Sequence, residues 1–366
     1  MTKHLRYISI QGYKSIYKLE NLALNSLNIF IGANGSGKTN FISVFKLLNQ
    51  IINENLQLYI AKEGGADSLL HFGQKQSETL ELSLSFSANK YDISLIPASS
   101  DTLIFGTETV SFYSGEYTTP YTEELGSGHR ETRLVKTLRT HKERTVAYYV
   151  FHTIKSWKVY HFHDTSKSAK VKQKGNINDN ENLRADASNL AAFLYLLREK
   201  NNGHYQKIVS TIQMVAPFFD DFNLRSDPLN EKTIRLEWHE KGADFYFDAN
   251  ALSDGTLRFI CLATLLLQPN LPATILIDEP ELGLHPYAIT VLAALIQSAA
   301  EKTQVIISTQ SVPLVNQFGP EDIVVVDRVE GKSTFRRFQE ADLENWIDDY
   351  GMGDLWEKNL LGGRPQ

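Results

Sequence analysis

At 366 residues, 42% apolar and 22% charged, the chain is long enough for one large or two ordinary globular domains and too balanced to be disordered or fibrous. A net charge of −6 excludes a surface that coats nucleic acid throughout, so any such contact must be a local patch. Cys261 is the only cysteine, which excludes an intrachain disulfide and a cysteine zinc site. The N-terminal residues carry no secretory pattern, and apolar runs such as 259–267 are too short to cross a bilayer, so a cytoplasmic chain without a membrane partner is expected.

Residues 4–31 read as strands, with a polar turn at Gln11–Ser15. Tyr13 and Tyr17 can each stack on a base or serve as ordinary strand aromatics. The run Leu27–Ile31 is a short apolar strand. It leads into Gly32-Ala33-Asn34-Gly35-Ser36-Gly37-Lys38-Thr39, which fits G-x-x-x-x-G-K-[ST] at every fixed position. Glycines there let backbone N–H groups turn toward phosphate oxygens, and the following helix adds the positive end of its dipole. Lys38 is expected to reach the β- and γ-phosphates, and the Thr39 hydroxyl to ligate Mg²⁺. That helix is expected to end near Asn53.

Leu80, Leu82, Leu84 and Phe86 alternate with polar residues, the period of a half-buried strand, and a second strand is expected at 91–96. Arg130, Arg133, Lys136, Arg139 and Lys142 recur every third position, which predicts a basic row on a helix. A second basic stretch, Lys167–Lys174, reads as an exposed loop. Both stretches are phosphate-contact candidates or plain solvated faces. Residues 157–164 read as a strand, which puts His161 and His163 on one side as a conceivable metal pair. Helices are expected at 186–197 and 203–215, and strands at 233–239 and 244–248.

Leu252-Ser253-Asp254-Gly255-Thr256 opens a long apolar helix, with Ser253 as N-cap and Gly255 keeping the helix start open to an anion. The run Thr274–Ile277 then delivers Asp278 and Glu279 at the end of a buried strand. Asp278 is expected to hold Mg²⁺ through its water shell, and Glu279 to poise the attacking water. A turn at Glu281–Pro286 starts the next helix. A further buried strand, Gln304–Ser308, ends in the polar tip Thr309-Gln310-Ser311. Residues 321–338 read as a strand pair and 340–349 as an acidic amphipathic helix.

This order of motifs resembles the ATP-binding-cassette-type ATPase heads of the SMC, RecF and OLD-like proteins, often labelled AAA-type ATPases. In that resemblance Gly32–Thr39 is the phosphate loop, Leu252–Gly255 the signature, and Ile275–Glu279 the Walker B strand. Glu281–Pro286 stands for the Asp-loop and Ser308–Ser311 for the switch. Gln310 replaces the usual switch histidine and can hydrogen-bond but not carry a proton. Stand-alone ATPases of this group also end in segments like Gly353–Trp356 and Gly362–Pro365. The Q-loop glutamine has no clear position; Gln173 is the candidate.

The resemblance implies an α/β fold: a P-loop NTPase of ABC/SMC-head type, with a mixed sheet and an inserted α+β region. Residues 1–87 and 245–340 would form the two lobes of the head, 88–244 the insertion, and 341–366 a C-terminal helix and tail. ATP and Mg²⁺ are the implied cofactors. Asn34, Gly35, Ser36, Gly37, Lys38 and Thr39 would bind ATP in one copy, with Ser253 and Gly255 of a second copy closing the site in a homodimer. Glu279, Gln310 and Lys38 would carry hydrolysis, and Thr39 and Asp278 the metal. No long coiled coil divides the lobes and no nuclease domain follows the switch, so a separately encoded effector, with a nuclease as one candidate, is expected in phage defence or DNA repair. Direct DNA contact is possible. A slow ATP-dependent scaffold and a RecF-like repair ATPase acting without an effector are the alternatives; a transporter cassette lacks any membrane-coupling feature.

Overall fold

The computed structural model describes residues 4–113, 119–140, 145–338 and 350–363. The acidic helix expected at 340–349, Lys142 and the last three residues lie outside them, and the side chain of Arg139 is likewise undescribed. Chain contacts divide the molecule into two compact units, Met1–Trp157 with Gly319–Gln366 and Lys158–Phe318.

In the first unit, Leu27–Ile31 is buried at all five positions, as a strand covered on both faces must be. It pairs in parallel with Ile323–Val329, which pairs antiparallel with Lys332–Arg337, so the sheet is mixed. The helix after the loop, Lys38–Ile52, turns Phe41, Phe45, Leu48 and Ile52 into the core, and Phe41 stacks on Phe30 of the loop strand at 4.3 Å. A second sheet is antiparallel throughout, in the order Ile16–Ala23, Leu5–Tyr13, Leu80–Phe86, Asn89–Ala98, Thr102–Phe112, Tyr121–Gly126. Leu80, Leu82, Leu84 and Phe86 are all buried, as their alternation requires. Tyr13 is fully buried with its hydroxyl on Ser43, so it is a core residue, whereas Tyr17 is 46% exposed.

The basic row does not form one helical face. Its helix begins only at Leu134. Arg130 and Arg133 precede it, and Arg133 spends its guanidinium on the carbonyl oxygen of Leu125.

In the second unit, Thr274–Asp278 and Gln304–Thr309 pair in parallel with Asp278 level with Ser308. Both strands are buried at every position, the near-continuous apolar run of a covered parallel pair. The helix Asp254–Leu267 is buried at every residue from Leu257 to Leu266, including Arg258. Cys261 lies within it, its thiol pushed up to about 12 by burial, which leaves it unreactive. Pro286 opens the helix Pro286–Ala300 behind an N-cap at His285. Helices Leu190–Lys200 and Asn202–Val215 precede a small sheet in which Trp238 stacks between Phe219 and Phe247.

The strand expected at 157–164 stops at Tyr160. His161 leaves it and donates its backbone N–H to the carbonyl oxygen of Ala185. Among the described residues, no cluster of three or more His, Cys, Asp or Glu side chains can hold a metal, and no helix is long and apolar enough to cross a membrane.

Candidate nucleotide site

The phosphate loop is held open from below. Gly37 sits at φ 116°, where a Cβ would lie 2.0 Å from Ser333 Oγ, so only glycine fits. Ser333 Oγ donates to the carbonyl oxygen of Ser36 at 2.6 Å and lies 2.7 Å from Ser15 Oγ. Asn40 Nδ2 donates to the same Ser15 oxygen. Arg328 adds a guanidinium bond to the carbonyl oxygen of Gly35 at 3.2 Å. Ser15, Arg328 and Ser333 are not among the residues the motif singles out; Ser15 lies in a polar turn, and Arg328 and Ser333 are polar residues inside strand-like runs.

Asn34, Gly35 and Thr39 are exposed at the mouth, whereas Ser36 and Lys38 are buried. Ser36 Oγ is buried without a hydrogen-bond partner. Lys38 Nζ donates to the loop's own carbonyl oxygens, Gly32 at 2.5 Å and Ala33 at 2.9 Å. A buried orphan hydroxyl and a cation folded onto carbonyls are what a loop built for an anion presents. ATP therefore fits these residues.

In the second unit, three predicted site residues, Asp278, Glu279 and Gln310, are drawn together at the strand ends. Asp278 is buried and accepts from Ser308 Oγ. Glu279 is a non-glycine residue at φ 44°, with its N–H fixed on the carbonyl oxygen of Ser308 at 2.8 Å. Such a backbone is strained and persists only where neighbours hold it. Gln310 Nε2 donates to Glu279 Oε1, which ties the switch tip to the Walker B tip.

Glu281, part of the turn, adds a second latch. It accepts from Thr309 Oγ1 and from the Gln310 N–H, and its Oε2 is buried without a partner. Burial pushes its carboxyl above the ordinary carboxylate range.

Ser253 is exposed and caps its helix by accepting from Thr256 N–H. Gly255 proves to be a packing residue as well as an opening: a Cβ there would lie 2.3 Å from the carbonyl oxygen of Gly283. The signature thus rests directly on the Asp-loop turn. Gln173, the Q-loop candidate, donates its Nε2 to the carbonyl oxygen of Lys167 at 3.1 Å. The basic stretch 167–174 is largely neutralised: Lys170 meets Asp186, Lys172 lies 3.9 Å from Asp254, and Lys174 meets Asp227.

These parts define an AAA-type P-loop ATPase domain. The chain belongs to the family described as "AAA domain, putative AbiEii toxin, Type IV TA system", whose model matches residues 27–316. Among solved structures it is similar to an Smc head bound to the C-terminal winged-helix domain of ScpA, at 14% identity and a TM-score of 0.59, covering 93% of this chain and 99% of that one. It is also similar to an Smc head with an extended coiled coil, bound to the C-terminal domain of ScpA, from Pyrococcus furiosus, at 14% identity and a TM-score of 0.54, covering 94% and 99%. At that identity the likeness is one of fold, and the fold is the SMC-head type of P-loop ATPase. The sequence matches none of the curated proteins at a significant level.

Proposed function

We propose that the chain hydrolyses ATP with Mg²⁺, and that ATP-driven pairing of two copies controls a separate effector protein in phage defence or DNA repair. The observation that supports the reading is the register of Asp278 with Ser308, which sets the Asp278 carboxylate and a pinned Glu279 side by side at level strand ends. Lys38 and the loop N–H groups would bind the β- and γ-phosphates, and Thr39 and Asp278 would hold the metal. When bound, Mg²⁺ neutralises charge on the phosphate oxygens. Glu279 orients water and accepts its proton; Gln310 holds Glu279 and can only donate or accept hydrogen bonds.

Ser253 and Gly255 would close the site of a second copy through the start of their helix. The SMC heads of similar fold bind ScpA, which supports a protein partner for this chain too. The lobes at 1–87 and 245–340, with 88–244 between them, are the division this reading assigns. One observation favours the slow scaffold as a second reading: Glu279 Oε1 already accepts from Gln310, so the base is engaged before water arrives.

The deciding experiment mixes Lys38→Ala and Ser253→Arg subunits. Each is expected to be inactive alone, and the mixture to regain part of the steady-state ATPase, because one shared site per mixed dimer keeps both Lys38 and Ser253. Heterodimers that form without activity would refute the shared site. Turnover below detection in the wild type would favour the scaffold.

A further inference from the structure

Arg258 is charged, yet only 5% exposed, on an otherwise apolar helix. A buried guanidinium must spend its donors, and these go to backbone. Nε donates to the carbonyl oxygen of Phe162 at 3.0 Å, and Nη2 to that of His163 at 3.3 Å. His163 in turn approaches the carbonyl oxygen of Asp278, Nε2 at 2.7 Å. A carbonyl only accepts, so the proton sits on Nε2.

The peptide group joining Asp278 to Glu279 is thereby pinned on both sides. Its carbonyl oxygen is held by His163, and its N–H by the carbonyl oxygen of Ser308. That one peptide carries the metal-side acid on one flank and the base, at φ 44°, on the other. Rotating it would swing Glu279 away from its aim.

We propose that His163 and Arg258 are positioning residues: Arg258, from the second turn of the signature helix, fixes the 162–163 backbone, and His163 fixes the Asp278–Glu279 peptide, so the two motifs are set by one chain of bonds. The inference rests on the ATPase reading above. A hydrophobic residue would fill the place of Arg258 with a smaller desolvation cost, so the guanidinium is there for its donors. The residues were missed in the sequence because neither is part of a motif; His163 drew notice only as half of a metal pair.

The test compares His163→Ala, His163→Gln, Arg258→Met and the double variant His163→Ala/Arg258→Met. Outer partners of a metal site change affinity or activity ~10–100-fold. His163→Ala is expected to lower kcat by that order with KM for ATP little changed. His163→Gln should restore most of it, since a glutamine Nε2 can donate to the same carbonyl. The double variant should lose no more than the worse single one, because the two act in series. Arg258→Lys replaces Arg258→Met if the latter fails to fold. Wild-type kcat in His163→Ala, no rescue by glutamine, or fully additive losses would each overturn the proposal. Mn²⁺ affinity with a non-hydrolysable ATP analogue gives a reading without turnover. If the wild type never hydrolyses ATP, the ATPase reading fails, and equal Mn²⁺ affinity in wild type and His163→Ala then overturns this proposal by itself.

Discussion

The phosphate loop and the Walker B tip are held by different physics. The loop is fixed by backbone shape: a glycine in a left-handed conformation, with Ser15 of a turn and Ser333 of a distant strand bracing it. The acid tip is fixed by side chains that can exchange partners. Ser308 holds Asp278, Gln310 holds Glu279, and Thr309 holds Glu281. A rigid cradle suits a ligand that must always be bound the same way. A tip latched by hydrogen bonds suits groups that change role between binding and chemistry. Damage to the braces should therefore appear in KM, and damage to the latches in kcat.

The strongest way to break this division is Glu279→Gln. The amide keeps the shape but cannot accept a proton, and loss of a positioned base costs ~10²–10⁴-fold in rate. ATP binding should survive, and the variant should accumulate as an ATP-bound dimer on size exclusion. Near-normal turnover would remove Glu279 from the chemistry.

Next in size is Gly255→Ala. Its new Cβ would meet the carbonyl oxygen of Gly283 at 2.3 Å, a backbone atom that cannot step aside alone. Overpacking of this kind costs ~1–3 kcal/mol. A lower Tm by calorimetry, with reduced kcat, is expected; an unchanged Tm would show that the signature and the turn are not so closely apposed.

Ser333→Ala tests the other side. A neutral hydrogen bond is worth ~0.5–1.5 kcal/mol net, so KM for ATP should rise ~2–10-fold while kcat stays near wild type. A loss confined to kcat would contradict the contrast drawn above.

How far these contrasts are legible in sequence follows the same line. The phosphate loop, the apolar acid strand and the signature cap are local patterns, and a few consecutive residues with a strand before or a helix after suffice to place them. The braces and latches are not local. Ser333 lies 318 positions from Ser15, and His163 lies 115 from Asp278. No periodicity links them, because they meet only when separate strands deliver their ends to one place. The basic row fails for a related reason: spacing by three suits a helix, but the helix starts only at Leu134, so Arg130 and Arg133 precede it, and Arg133 bonds the carbonyl oxygen of Leu125. The strand at 157–164 was overextended because aromatic and β-prone residues continue past Tyr160 while the chain leaves for Ala185.

Glu281 offers a pH test of the second latch. Its carboxyl is raised in the folded state by burial, so the folded chain holds this proton to higher pH than the unfolded chain does. The folded state is then relatively favoured at low pH, and this contribution is lost as pH rises from the ordinary carboxylate value of 4.5 through the raised one. Glu281→Gln should flatten that part of the stability–pH curve in chemical denaturation across pH 4.5 to 8. A curve that keeps the wild-type slope would place the titration on another group.

The smallest expected effect concerns DNA. Phosphate contacts release counterions, and each contributes about −0.9 to the slope of log K against log salt on duplex DNA. Lys170, Lys172 and Lys174 face Asp186, Asp254 and Asp227, so the stretch presents little net charge to a duplex. Of these, the Lys170–Asp186 pair is the most exposed and so the easiest for a phosphate to displace. Lys167 has no acid partner within that set. The double variant Lys167→Gln/Lys170→Gln, titrated against duplex DNA at several salt concentrations, is therefore expected to keep the wild-type slope to within one unit. A slope shallower by about two would mean that both lysines meet phosphates and that the pairing with Asp186 gives way on binding. The second unit would then carry a nucleic-acid surface beside its acids, and latching by exchangeable side-chain pairs would extend from the active tip to the DNA face.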